Sequence, residues 1–123
     1  ELYADAAGLA ALVPRLRRLP RLVIDHLGLS AEGLPTLLDL VEHGVMVKAT
    51  GFGRVALDVP QAMQAIVAIN PAALVFGTDL PSTRAQRPFA PSDIDLVVDT
   101  LGPDLARRVL HENAVALYRP RAA

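Results

Sequence analysis

With 123 residues, 52% of them apolar, the chain has the length and composition of a single packed domain. A net charge of -1 and a pI near 6.3 remove any electrostatic case for nucleic acid or an anionic membrane as partner. The absence of cysteine excludes a disulfide framework and thiolate chemistry, and no apolar run approaches the roughly 20 residues needed to span a bilayer.

The first periodic signal covers residues 8–19, where apolar side chains recur at helical spacing. Pro14 falls inside that span, so the pattern predicts either a kink or a helix that begins at Val13-Pro14. Residues 22–24 read as a short buried strand that ends at Asp25-His26. Ser30 is the expected N-cap of a helix over 31–43, stopped by Gly44. A strand over 45–50 follows, closed by Gly51-Phe52-Gly53. Asp58, with Pro60 just inside, predicts a helix through Ile69 that Asn70-Pro71 terminates. Residues 73–76 form the last expected strand. A loop from Leu80 to Pro91 leads to Ser92, read as the cap of a helix over 93–101. Gly102-Pro103 breaks the chain before a final helix from about Asp104 to Tyr118, and Leu2-Tyr3 has the character of a strand end.

Strands alternating with helices of this length argue for parallel βαβ units. Two architectures share the signature: an open doubly wound sheet and a (β/α)₈ barrel. Length alone favours the open sheet, since a barrel needs about 250 residues. Strand order discriminates them, because consecutive neighbours mean a barrel and a reversal means the open sheet with a ligand at its switch point.

Two strand ends carry the candidate chemistry. The runs RLVIDHLG (residues 21–28) and LVFGTDLP (residues 74–81) are continuous apolar stretches that stop at an ionisable residue followed by Gly or Pro. Parallel strands covered by helices have this composition, and their chemistry sits where the strand ends. That places His26 and Asp79 at the presumed mouth. Arg54 lies just past Thr50-Gly51 on the same side, where a guanidinium either clamps a substrate carboxylate or stays solvated. Lys48 interrupts an apolar strand and is expected either to face the barrel interior or to be an ion-paired or snorkelling lysine. His43, before Gly44, reads as a helix C-terminal residue interacting with the dipole, and Asn113 as a donor to backbone. Arg84 and Arg87 fall in the long loop after Asp79, as anion contacts of a lid or as solvated charges. Gly51 and Gly53 bracket Phe52 without a GxGxxG turn opening a helix, which rejects a dinucleotide site.

Taken together, four segments resemble the amidohydrolase superfamily, in particular its amidohydrolase-related barrel branch that includes the 2-pyrone-4,6-dicarboxylate lactonases. They are Val23-Ile24-Asp25-His26-Leu27-Gly28, Val47-Lys48-Ala49-Thr50-Gly51 with Arg54 close behind, Phe76-Gly77-Thr78-Asp79-Leu80-Pro81, and Glu112-Asn113-Ala114-Val115-Ala116-Leu117-Tyr118. Their order resembles the last strands and closing helix of that barrel and covers nearly the whole chain. The resemblance implies a hydrolase in which Asp79 is the general base that activates water and His26 holds the substrate carbonyl or a metal. Arg54 and Tyr3 are then substrate-binding residues. The His-x-His pair of that family's first strand is absent here. Residues 1–123 are therefore expected to be the C-terminal half of a (β/α)₈ TIM barrel, completed by its N-terminal half or by a second copy. The chain opens on Glu1-Leu2-Tyr3 without Met or a signal peptide's basic and apolar regions, so Glu1 is not expected to be the natural start and the expected setting is cytoplasmic.

Metal-binding members usually carry a His on the strand that ends here at Tyr3, and its absence favours the branch that needs no cofactor. The expected reaction is then lactonase-type hydrolysis of a small carboxylated cyclic ester. The alternatives are a hydrolase or decarboxylase using zinc or another divalent metal, with His26 and Asp79 as ligands, and an inactive fragment or assembly module.

Overall fold

A computed structural model describes residues 1–121 of the chain. Residues ahead of the sheet form two short 3₁₀ turns and then α1 (Val13–Leu16), with Pro14 in its first turn. The proline is tolerated there because its missing N–H would have no intrahelical partner anyway. Strand β1 (Val23–Ile24) leads to α2 (Leu34–Glu42), β2 (Met46–Ala49), α3 (Val59–Ile69) and β3 (Leu74–Phe76). After a long loop come α4 (Ser92–Arg107), a π-helical turn (Arg108–Glu112) and α5 (Asn113–Tyr118). No helix among the described residues is long and apolar enough to cross a membrane.

The three strands are parallel and ordered β1-β2-β3. Leu2 continues the sheet on the β1 side: its N–H donates to the Val23 carbonyl (2.8 Å) and its carbonyl accepts from Asp25 N (2.9 Å). Spatial order thus follows chain order with no reversal. That is the arrangement of a barrel segment, and it removes the doubly wound alternative.

Register decides which side chains face which layer. Ile24 pairs with Val47 and Val47 with Leu74, and all three are fully buried. They pack with Leu37 and Leu40 of α2, Met63 and Ile66 of α3, and Val97 and Val109 beyond. Full burial of one such side chain contributes about 1.5–3 kcal/mol, so this layer carries much of the stability. One residue further along, side chains turn to the opposite face. There Lys48 lies beside Val75, with Asp25, just past the end of β1, next to it. That face is the one a closed barrel would enclose.

Two helix starts differ from expectation. α2 begins at Leu34, not at residue 31, because Pro35 must sit in the first turn of a helix. Ser30 instead donates to Asp5 Oδ1 (2.6 Å) and accepts from Gly33 N (3.2 Å), stabilising the turn ahead of the helix. Ser92 is the first residue of α4 rather than its cap; Pro91 holds the cap position without a side-chain capping bond, and the Asp93 carboxylate reaches back to accept from Ala90 N (3.2 Å). The Asp58 cap is as expected, its Oδ1 accepting from Gln61 N at 3.0 Å. Gly102 (φ 79°) breaks the regular helix ahead of Pro103.

Candidate active site

Past β1 the chain enters an unusual left-handed stretch: His26, Leu27, Gly28 and Leu29 all have positive φ, between 50° and 71°. For non-glycine residues this conformation costs on the order of 1–2 kcal/mol each. Surrounding packing sustains it, since His26, Leu27 and Gly28 are buried. The turn aims the His26 imidazole across the sheet's C-terminal rim. Its Nδ1 lies 2.7 Å from Thr50 Oγ1 at the end of β2. The Tyr3 ring stands edge-on to the imidazole, with centroids 5.5 Å apart.

Asp79 arrives at the same rim from β3, also with positive φ (58°). Its Oδ1 is 4.0 Å from His26 Nε2, while its Oδ2 accepts from Arg54 Nε at 2.5 Å. The carboxylate and guanidinium are both mostly buried, and the hydrogen bond that Arg54 donates to Asp79 is the main reason the Arg54 pKa is raised, burial opposing it. Arg54 is thus neither solvated nor free; one edge of its guanidinium is committed to Asp79. The gap between His26 Nε2 and Asp79 Oδ1 is too wide for a direct hydrogen bond and suits a group between them that contacts both.

His26, Thr50 and Asp79 open onto a cavity of about 390 Å³ whose walls also include Glu1, Asp25 and Lys48, while Tyr3 and Arg54 stand behind His26 and Asp79 without lining it. Lys48 both faces this cavity and is ion-paired there. Its Nζ is 2.5 Å from Glu1 Oε1 and 3.6 Å from Asp25 Oδ1. Burial works against the Lys48 charge, but the hydrogen bond to Glu1 and the Asp25 charge outweigh it, and its pKa is raised. The same contact, against a smaller opposing effect of burial, lowers the Glu1 pKa. Asp25 Oδ1 is buried with no hydrogen-bond partner, so Lys48 is its nearest compensating charge.

Four polar residues from successive segments of the sheet, Tyr3, His26, Thr50 and Asp79, therefore gather at one rim. Residues 2–119 match the sequence model of a family described as amidohydrolase. The chain belongs to the amidohydrolase family. Among solved structures it is similar to amidohydrolase 2 from Bifidobacterium longum subsp. infantis, at 21% identity and a TM-score of 0.71, over 97% of this chain and 48% of that one. A protein of Agrobacterium tumefaciens solved in its apo form is similar at 29% identity and a TM-score of 0.70, over 98% of this chain and 50% of that one. The chain thus spans about half the length of these solved structures, as a partial barrel does. No curated protein sequence matches it significantly.

The metal-dependent alternative needs a divalent cation held at this rim. Among the described residues no cluster of three or more His, Cys, Asp or Glu side chains is arranged to take a cation. His26 and Asp79 are the two rim donors, and Asp79 Oδ2 already faces a guanidinium, whose positive charge opposes a cation alongside. The residues present do not by themselves make a metal site.

Of the remaining candidates, His43 Nδ1 is 2.7 Å from the Asp39 carbonyl at the α2 terminus, and Asn113 Nδ2 donates to the Pro71 and Leu74 carbonyls, both at 2.8 Å. Arg87 makes a two-pronged ion pair with Asp93 (2.8 and 3.2 Å), which anchors the loop after Asp79, while Arg84 is exposed. Sequence reasoning missed Thr50 as a partner of His26, and Glu1 and Asp25 as partners of Lys48. The available signal was alignment: in a parallel sheet the last polar residue of each strand ends at the same rim.

Proposed function

We propose that this chain supplies the C-terminal half of a (β/α)₈ barrel hydrolase that opens a small carboxylated cyclic ester by a lactonase-type reaction. Asp79 Oδ1 takes a proton from water as the water oxygen bonds to the ester carbonyl carbon. His26 Nε2 holds the carbonyl oxygen as it becomes negative. Collapse of the tetrahedral species breaks the ring C–O bond, and Asp79 returns the proton to the leaving oxygen, which restores the carboxylate. Arg54 keeps Asp79 aimed through Nε, and its remaining N–H groups, with Tyr3, orient a substrate carboxylate. No metal or other cofactor enters this scheme, and the setting is the cytoplasm.

The observation that supports the reading most is the 4.0 Å separation of His26 Nε2 and Asp79 Oδ1 on the rim of a cavity of about 390 Å³. An imidazole and a base so placed can each contact a different atom lying over the rim, a carbonyl oxygen on one side and a water on the other. The other half of the barrel would complete the oxyanion site. Without it both sheet edges stay unpaired, which is why an N-terminal half or a second copy is the expected partner.

Hydrolysis of a carboxylated pyrone lactone, followed by loss of its ultraviolet absorbance, tests the proposal in the longest natural polypeptide that carries this chain. Asp79→Asn is expected to lower kcat by roughly 10²–10⁴-fold with a smaller change in KM. Retained activity would remove Asp79 as the base. Activity that disappears with chelator and returns with zinc would replace the metal-free scheme by a metal-assisted one. Full turnover by a monomer of residues 1–123 would overturn the incomplete barrel.

A further inference from the structure

The imidazole of His26 rests against Thr50 and Gly51, and Thr50 in turn packs on Gly77. We infer that they form a cradle that fixes the ring as its Nε2–H tautomer, making it a hydrogen-bond donor toward the cavity. The inference deepens the proposed role of His26 and rests on that reading for its catalytic consequence, though not for the tautomer itself.

Two observations set the direction of the Nδ1 contact. Thr50 Oγ1 lies 2.7 Å from His26 Nδ1, and both residues are buried. Among the described residues the Thr50 hydroxyl has no other hydrogen-bond partner. If Nδ1–H donated to Oγ1, the hydroxyl proton would lack a protein acceptor. If the hydroxyl donates to the Nδ1 lone pair, its proton is satisfied and the ring proton resides on Nε2. The far side of the ring argues independently for the same tautomer. Nε2 faces the Asp79 carboxylate at 4.0 Å. A lone pair aimed at an anion is repelled, whereas an N–H aimed at it is attracted.

The glycines hold the geometry in place. A Cβ at Gly51 would sit 2.8 Å from His26 Nδ1 and 3.2 Å from Cγ, so only a bare backbone lets the loop after β2 lie against the ring. Gly51 also has φ of 59°, which glycine adopts without strain. A Cβ at Gly77 would meet the Thr50 methyl at 2.9 Å. The methyl therefore occupies the space that Gly77 leaves, which turns the hydroxyl of the same side chain toward the imidazole. Thr50 is a positioning residue, acting on substrate only through His26.

A ring nitrogen that carries a proton donates to an oxygen and has no lone pair for a cation. The cradle thus suits stabilisation of a developing carbonyl oxyanion, and a proton on Nδ1 would instead leave Nε2 free to ligate. Long-range ¹H–¹⁵N NMR correlations, recorded where imidazoles are neutral, read the tautomer directly. The expected spectrum of the full chain shows a protonated Nε2 and a lone-pair Nδ1 for His26. In Thr50→Val the Nδ1 resonance should move toward that of a lone pair without a donor, and Thr50→Ser should move it back. In the longest natural polypeptide Thr50→Val should lower kcat by roughly ten- to a hundredfold, the loss of one oriented hydrogen bond, with Thr50→Ser near wild type. If Thr50→Val fails to fold, Gly77→Ala perturbs the same contact by displacing the Thr50 methyl and should shift the same Nδ1 resonance. A proton found on Nδ1 in the wild-type chain overturns the inference, as does an Nδ1 resonance that ignores every one of these substitutions. Failure of the hydrolase reading itself would appear separately, as an Asp79→Asn variant with undiminished activity, whatever the tautomer.

Discussion

Replacing Lys48 by methionine is the sharpest test of the charged floor of the cavity. The substitution keeps the length and apolar stem of the side chain and removes only the ammonium. Lys48 Nζ sits 3.6 Å from Asp25 Oδ1, which at an effective dielectric of about 20 corresponds to roughly 4–5 kcal/mol of gross attraction. Desolvation of both groups offsets part of this, and their side chains retain 20% and 18% exposure, which adds some screening. What remains after the substitution is a carboxylate oxygen at Asp25 that is buried without any hydrogen-bond partner and has lost its nearest cation. Lys48→Met should therefore destabilise the chain by about 2–3 kcal/mol, somewhat less than the loss of one partner of a fully buried pair. The Glu1 contact adds little, since that carboxylate is 51% exposed. Urea unfolding followed by circular dichroism at neutral pH measures the loss. The double variant Asp25→Asn/Lys48→Met should recover at least about 1 kcal/mol, because it no longer strands a charge. A single-variant cost below about 0.5 kcal/mol, typical of a surface pair, would refute the reasoning. So would a double variant no more stable than Lys48→Met.

The pH dependence of stability should show two limbs with opposite signs. The Glu1 and Asp5 pKa values are lowered from their ordinary 4.5 and 3.8, so their contributions are present above those values and are lost as pH falls through the folded-state ones. The Lys48 pKa is raised above 10.5, so its contribution is complete below that value and is lost as pH rises through the folded-state one. Urea midpoints across both ranges read the limbs, and in Lys48→Met the alkaline limb should vanish while the acid limb shrinks to the part carried by Asp5, whose carboxylate is held by Ser30 and Ala7. An unchanged alkaline limb in that variant would assign it to another group. Gly53→Ala tests how the loop after Asp79 is seated. A Cβ there would lie 1.9 Å from the Arg87 carbonyl oxygen, against which no flexible side chain can yield, so a loss of about 1–3 kcal/mol and faster amide exchange at Gln86, whose N–H donates to the Gly53 carbonyl, are expected. Wild-type exchange at that amide would show that the two loops are not pinned together.

What could be read without coordinates was whatever depends on neighbours in the chain. Asp58 capping a helix that runs to Ile69, β3 within residues 73–76, and the break at Gly102-Pro103 follow from local hydrogen bonding and fixed φ. The α2 start was misplaced because Ser30 looked like a cap on composition, while the proline at position 35 had the stronger steric claim on where the helix begins. His26 and Asp79 were legible because an apolar strand that ends on an ionisable residue is itself a local pattern. Their separation was not, nor was the commitment of Arg54 to Asp79, since a loop residue's partner depends on where other loops fall.

Strand pairing decided the rest. Three parallel strands laid side by side in chain order bring positions 26, 50 and 79 to one edge, and the same register stacks Lys48 beside Asp25. Those contacts join residues 23 to 53 positions apart along the chain, and no propensity or motif carries information across such a gap. Local chemistry chose which residues the chain offers. Backbone hydrogen bonds between strands chose which of them meet.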